Sequence, residues 1–533
     1  MTRLTKNLSV ERNGRQMNGI HKKSALPKTG EIILAAHDQG EGLFWERYEQ
    51  QLPLCGFTRN GLVCRKCFKG PCRINPFGDE PSRGICGADR DQIVMENVFQ
   101  TTLDGVLETA RNLSLLDGGV LADELPDFSS DLPSETRKRL IEQGLLAVRK
   151  TDLFGVQNSY FSHKSYLSNT LKDLTRLGLI QYGLLREART IRDRLAGAEV
   201  SADKAGLNIL VVGQASLGLL EGLRGARHSG DGAVHILVQG SHAIPGTEVV
   251  SDHGDPELAL AMNVDALVVT PNGYLPGLEG LAEKYDIPTV LVDGTKSVDQ
   301  LVTETMTRGR RGDYVSGSRV HRTSGFDTKL QEFLHKQKEI KAALKRGTIK
   351  GVVVFLGEAT VKQAFFERTL TLMESCLDNR IWVLLGGELG AQGDLLTEEV
   401  QKRMGDRFSS VVGSMVIDGL CPPTCFGSLS QITRVVSFFK DLMEGETFAS
   451  APGMIVFPEF FRASSWATAV SLLSLGFMVQ IGSPLPFWGS AALTEVLLKD
   501  WPDLSGGRLL ASPAVPDGET QAREILSHLE KTR

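Results

Sequence analysis

The period of the hydrophobic pattern changes along this chain. From Asp89 to Leu116 apolar residues recur at helical spacing, with Ile93, Val94, Val98, Leu103, Val106 and Leu107 on the predicted inner face. A second helical stretch is expected over roughly 134–150. One or two further helices are expected over 157–196, with Leu167, Leu171, Leu174, Leu177 and Leu184 among the buried candidates. A short helix, Glu41 to Gln51, precedes them. Residues 1–40 are polar and mildly basic, with Lys22, Lys23 and Lys28, and read as a flexible N-terminal extension. From Asn208 the pattern becomes short β-branched runs separated by amphipathic helices: 208–213, 234–240, 265–271 and 288–294. After a Gly-, Arg- and Ser-rich linker over 305–328, a second set follows at 351–357, 381–387, 454–460 and 477–482. Continuous apolar strands alternating with helices imply parallel sheets covered on both faces. The expected organisation is therefore α/β: an extension (1–40), an all-helical domain (41–205), and two Rossmann-like parallel-sheet domains (206–330 and 331–533).

The stretch from Ala463 to Thr494 carries no charge. Gly476, Gly482, Pro484, Pro486 and Gly489 interrupt it, so it reads as core rather than a membrane span, which needs about 20 uninterrupted apolar residues. The charge balance of 59 basic against 64 acidic residues gives no global field for nucleic acid or an anionic membrane. The strand runs end in glycine or another small residue, at Gly213, Gly240, Gly294, Gly357, Gly387 and Gly482, where ligands of parallel sheets sit. None belongs to a dinucleotide or P-loop fingerprint.

Five of the eight cysteines fall between Cys55 and Cys86. Cys64, Cys67, Cys72 and Cys86 are spaced C-x2-C-x4-C-x13-C. Four thiolates so arranged suit a 4Fe–4S cluster, with a single zinc ion or unligated thiols as alternatives. The uneven spacing, with one C-x2-C knuckle instead of two, favours the cubane. Such cysteine usage, with no signal-peptide pattern at the start, points to a reducing cytoplasm.

The segment WERYEQQLPLCGFTRNGLVCRKCFKGPCRINPFGDEPSRGICGADRDQIV resembles the N-terminus of anaerobic nickel-type carbon monoxide dehydrogenases, and weaker similarity continues to about residue 510. The resemblance implies an iron–sulfur helical domain followed by two α/β domains. It implies that Cys64, Cys67, Cys72 and Cys86 hold an electron-relay 4Fe–4S cubane, one per subunit, in a homodimer. Cys55 matches one of two cysteines that each subunit gives to a cluster on the dimer axis. Val63 stands where the family has the second.

In the resembled enzymes the strand ends carry the six ligands of a Ni–Fe–S active-site cluster. The matching positions here are Gln214, Ile244, Gly273, Glu358, Glu388 and Leu429, none of which supplies a thiolate or imidazole. The family's active-site lysine falls near Ser464, and its N-terminal histidine motif has no counterpart. Nickel is thus not expected. Gln214, His242, Glu248, Glu358 and Glu388 are the polar candidates for the emptied pocket. Glu358 and Glu388 are expected to face one space, either as a hard-metal or acid–base pair or simply paired with nearby cations. Cys421 and Cys425 are expected to be buried structural thiols, with metal or dithiol chemistry as the alternative. The functional expectation is a 4Fe–4S redox protein relaying electrons to a ferredoxin or flavin oxidoreductase, with different chemistry in a rebuilt pocket. The alternatives are a non-catalytic structural or redox-sensing partner, and a carbon monoxide dehydrogenase with an altered cluster. Neither nucleic-acid nor membrane partners are expected.

Overall fold

The computed structural model describes residues 23–116, 123–161, 167–194, 207–225, 234–238, 248–249, 257, 260, 264–273, 276–292, 300, 303–305, 307, 326–442, 447–512 and 517–532. Helices lead, and two all-parallel sheets follow. The first sheet has the order β5 (Glu248–Val249), β4 (Val234–Val238), β3 (Leu207–Val212), β6 (Ala266–Val269), β7 (Thr289–Leu291). The second has the order β10 (Thr424–Phe426), β9 (Ile381–Gly386), β8 (Gly351–Phe355), β11 (Gly453–Phe457), β12 (Met478–Ile481), β13 (Arg508–Ala511). Both central strands, β3 and β8, are buried along their whole length, as sheets covered on both faces require.

Two 27-residue helices, Arg90–Leu116 and Leu167–Asp193, pack against each other and against the buried helix Ala463–Ser474 of the second α/β unit. Close approach there depends on missing side chains. A Cβ at Gly105 would lie 2.1 Å from the Ala463 carbonyl oxygen, and one at Gly178 would lie 2.5 Å from Ser474 Oγ. Every residue from Ser465 to Ser474 is buried, which accounts for the charge-free sequence. Two side-chain hydrogen bonds cross the interface: Trp466 Nε1 donates to Thr102 Oγ1 (2.7 Å) and Gln181 Nε2 donates to Thr468 Oγ1 (3.2 Å). Among the described residues no helix is long and apolar enough to cross a membrane.

Several expectations change. The helix expected over 134–150 ends at Glu142. The helix expected from Glu41 starts at Phe44. Leu107 faces outward at 45% exposure, whereas Ile93, Val94, Val98, Leu103 and Val106 are buried. Leu171, Leu174, Leu177 and Leu184 are buried as expected, and the side chain of Leu167 lies outside the description. Within the expected extension, Pro27–Asp38 forms a helix whose Ile32, Ile33 and Ala36 join the core of the second sheet, together with Leu26. Short apolar pairs in a polar context concealed that helix. The 305–328 linker lies almost wholly outside the described residues.

Candidate metal centre and strand-end cavity

The cysteine segment folds as a small antiparallel ladder beneath the Arg90–Leu116 helix. Strands β1 (Val63–Cys64) and β2 (Cys72–Arg73) pair with Cys64 opposite Cys72. Cys64, Cys67, Cys72 and Cys86 line one cavity of about 40 Å³, together with Lys66, Gly70, Gly84, Ala88 and Ile93. Small residues leave the interior to sulfur: a Cβ at Gly70 would come within 3.5 Å of Cys72 Sγ. The Ile85 N–H donates to Cys72 Sγ at 3.4 Å, a contact that supports a thiolate. Burial pushes the Cys64 thiol up, the Lys66 N–H pulls it down, and Glu96, Cys72 and Cys86 push it up further. Lys66 is itself buried at 8% side-chain exposure and pairs with Glu96 at 2.9 Å. Four sulfur donors around one apolar space fit a 4Fe–4S cubane.

Cys55 is exposed, and hydrogen bonds from Thr58 hold its thiol below the usual range. Val63 is half-buried in β1. Elsewhere in the cysteine segment Leu52, Phe68, Phe77 and Ile85 are exposed, Phe68 and Phe77 at 109% and 88%.

The second site is a cavity of about 80 Å³ at the carboxyl ends of strands from both sheets. Gln214 follows β3, Glu358 follows β8, Glu388 follows β9, Leu429 follows β10, and Arg462 to Ser465 follow β11. The Arg90–Leu116 helix adds Glu108 and Asn112, and the Leu167–Asp193 helix adds Leu185, Ala188 and Arg192. Gly357 makes the approach of Glu358 possible. Its φ is +108°, and a Cβ there would lie 2.1 Å from the Glu459 carbonyl oxygen, which accepts the Glu358 N–H at 3.1 Å.

Charge in this cavity is matched internally. The Glu358 carboxylate accepts hydrogen bonds from Ser465 Oγ and from the Phe461 N–H (3.2 Å). Burial pushes its pKa up, against the pull of Arg462 and those hydrogen bonds, and Glu108 pushes it up further. Arg462 lies 3.8 Å from Glu388 Oε2, with side-chain exposures of 15% and 2%. Burial pulls the Arg462 pKa down, but the attraction of Glu388, Glu358 and Glu108 outweighs it and leaves it above the ordinary value. Glu108 accepts the Ser464 N–H at 3.2 Å, and Arg192 Nη2 donates to Gln214 Oε1 at 3.5 Å. Glu388 thus pairs with Arg462, whose charge also pulls on the Glu358 carboxylate. No cysteine and no histidine lines this cavity.

Gln214, Glu358, Glu388, Leu429 and Ser464 all meet here, as the motif matching expects. Gly273 is not among the lining residues and packs against the Val212 carbonyl. Ile244 and His242 lie outside the described residues, as does the side chain of Glu248. Sequence reasoning passed over Arg462, Glu108 and Arg192. Arg462 stood two positions before Ser464, and a charge in so apolar a segment was the available signal. It also passed over Glu459, whose carboxylate accepts the Thr360 N–H at 2.8 Å and whose pKa burial pushes up to about 7. Cys425 is buried, with burial pushing its thiol up to about 12, whereas Cys421 is exposed. The expectation of two buried thiols holds for Cys425 alone.

Residues 62–123 match the model of the Prismane/CO dehydrogenase family. Carbon monoxide dehydrogenase 1 of Methanosarcina mazei is 24% identical over 627 aligned residues, covering 96% of this chain and 98% of the relative. The carbon monoxide dehydrogenase of Rhodospirillum rubrum is 23% identical, covering 87% and 91%. Among solved structures, a nickel-free, as-isolated carbon monoxide dehydrogenase from Thermococcus sp. AM4, produced without its CooC maturase, superposes with a TM-score of 0.77 at 18% identity. It covers 96% of this chain and 97% of that one. Carbon monoxide dehydrogenase IV of Carboxydothermus hydrogenoformans gives 0.72 at 19%. The fold is therefore that of these enzymes, and the homology is distant and extends over the full length.

Proposed function

We propose that this chain, a distant relative of nickel carbon monoxide dehydrogenases, is a 4Fe–4S electron-transfer protein whose strand-end cavity holds no Ni–Fe–S cluster. One observation carries the reading: Cys64, Cys67, Cys72 and Cys86 share one cavity, whereas Gln214, Glu358, Glu388 and Leu429 share the other without any thiolate. Bound to the four cysteines, a cubane supplies one-electron transfer. The positive charge of Arg65, Lys69 and Arg73 favours its reduced form and raises its potential, whereas that of Lys66 is offset by Glu96.

The exposed Leu52, Phe68, Phe77 and Ile85 of the cysteine segment suit burial against a second copy, giving a homodimer in a reducing cytoplasm. An electron-carrier protein, such as a ferredoxin or flavin oxidoreductase, would exchange electrons with the cubane. A second reading, a structural or redox-sensing subunit without turnover, draws support from Arg462, which pairs with Glu388 inside the cavity. Reversible one-electron reduction of the anaerobic protein by a carrier protein supports the relay, and reduction that no carrier can reverse supports the sensor. Protein matured anaerobically with nickel should not pass electrons from carbon monoxide to a viologen dye. Turnover would revive the third reading, an enzyme with an altered cluster.

A further inference from the structure

Two buried charges meet beside the cysteine cavity. Lys66 stands inside the C-x2-C turn, between Cys64 and Cys67, and lines the cavity with them. Its ammonium reaches Glu96 Oε1 at 2.9 Å, and both side chains are only 8% exposed. Glu96 comes from the Arg90–Leu116 helix, three residues after the cavity-lining Ile93 and so on the same helix face. That helix is fastened to the cysteine segment on either side of Glu96. Arg90 Nη2 donates to the Asn75 carbonyl oxygen (2.9 Å), and Asn97 Nδ2 donates to those of Gly61 (2.8 Å) and Val63 (2.9 Å). The carboxylate is therefore held in a fixed place, and its charge is felt at Cys64, whose thiol it helps push up. Stability does not account for such a pair, since taking two ions out of water costs about what their attraction returns. Arg65, Lys69 and Arg73, by contrast, are exposed, where water and salt screen them. At equal distance a buried charge acts several times more strongly, because the effective dielectric constant falls from about 80 in water to about 20 in the protein.

We infer that Glu96 is a positioning residue for the electron relay: it fixes the Lys66 ammonium at the cysteine cavity, cancels its charge and so holds the cubane's potential down. The inference rests on the reading that the four cysteines hold a redox-active cubane, and it adds which buried charges set the potential. Reduction adds one negative charge to the cluster, so an uncancelled ammonium beside it favours the reduced form and an uncancelled carboxylate opposes it.

The test is an anaerobic redox titration of the full-length, iron-loaded protein with dithionite, following the electron paramagnetic resonance signal of the reduced cubane. Glu96→Gln leaves the Lys66 charge uncancelled and should raise the potential. The expected change is roughly tenfold in the reduced-to-oxidised ratio, or about 59 mV for one electron. Lys66→Met leaves the carboxylate uncancelled and should lower the potential to a similar extent. The double variant is again neutral and should return close to wild type. Arg65→Gln and Lys69→Gln should lower the potential less, with shifts that shrink in high salt, whereas the shifts from the buried pair should persist. Iron counted in every variant reports that the cluster is retained. If Glu96→Gln loses its iron, Lys66→Met alone reads the sign. Loss of iron from both single variants, no shift in either, or shifts of both in the same direction would make the pair a structural brace. Any of these would overturn the inference while leaving the electron-transfer reading intact. Wild type that binds no iron, or whose cubane cannot be reduced, would overturn both.

Discussion

Glu459 holds a proton that an ordinary glutamate would lose. Burial pushes its pKa up to about 7, while Thr360, Arg368 and Lys362 pull the other way. The unfolded chain releases this proton near the usual carboxylate value and the folded chain keeps it to about 7. Stability should therefore fall as pH rises through that window, by on the order of 3 kcal/mol. Urea melts of Glu459→Gln should show a flatter pH dependence than wild type between roughly pH 5 and pH 8. An unchanged slope would assign the effect to other groups. At the cysteine cavity, Cys64→Ala, Cys67→Ala, Cys72→Ala and Cys86→Ala should each lose most of the iron, because each removes one of four donors. Cys376→Ala should keep it, since Cys376 is buried in the second sheet's core with its thiol pushed up to about 12. The cysteine spacing made the gathering of these four thiols in one cavity legible in the sequence. Glu459 and Arg462 were not legible, because a charged residue's burial is set by distant segments and not by its own neighbours.

Elements with a strong period were read well. Parallel strands buried on both faces leave continuous apolar runs, and β3, β4, β6, β8, β9, β11 and β12 fall within or across the runs read from the sequence. Weak periods failed, as in Pro27–Asp38, where Ile32, Ile33 and Ala36 alone carry the contact. The glycines at the helix crossings gave no signal at all, since a glycine within a helix is ordinarily only a weak point. Here the two crossing glycines set the distance between elements. Gly105→Ala should destabilise the protein by about 1–3 kcal/mol despite the better helix propensity of alanine, because its Cβ meets the Ala463 backbone. Gly218→Ala, with nothing within 4 Å in the Leu217–Gly225 helix, should be neutral or stabilise by about 0.5–1 kcal/mol. Thermal midpoints compare the two, and equal shifts would show that the crossing is not tightly packed. Displacing Ala463 should also move Arg462 and Ser464, which flank it and line the cavity.

For the whole molecule, the cavity forms only when the ends of five strands and two long helices come together, so no local stretch of sequence displays it. Matching motif by motif nevertheless brought Gln214, Glu358, Glu388, Leu429 and Ser464 to one space, because strand ends keep their places even at 18–24% identity. The proposed dimer axis is the remaining question at this scale. Cys55 and its symmetry mate would offer two thiolates, with Val63 in place of two more. Cys55→Ala should then leave iron content unchanged, and a drop of about four irons per dimer would show a shared cluster. The most direct measurement is a count of iron and nickel on the anaerobically purified, nickel-supplemented dimer. Two cubanes, about eight irons and no nickel per dimer are predicted. About one nickel per chain with iron well above that number, or one zinc per chain in place of iron, would contradict the account.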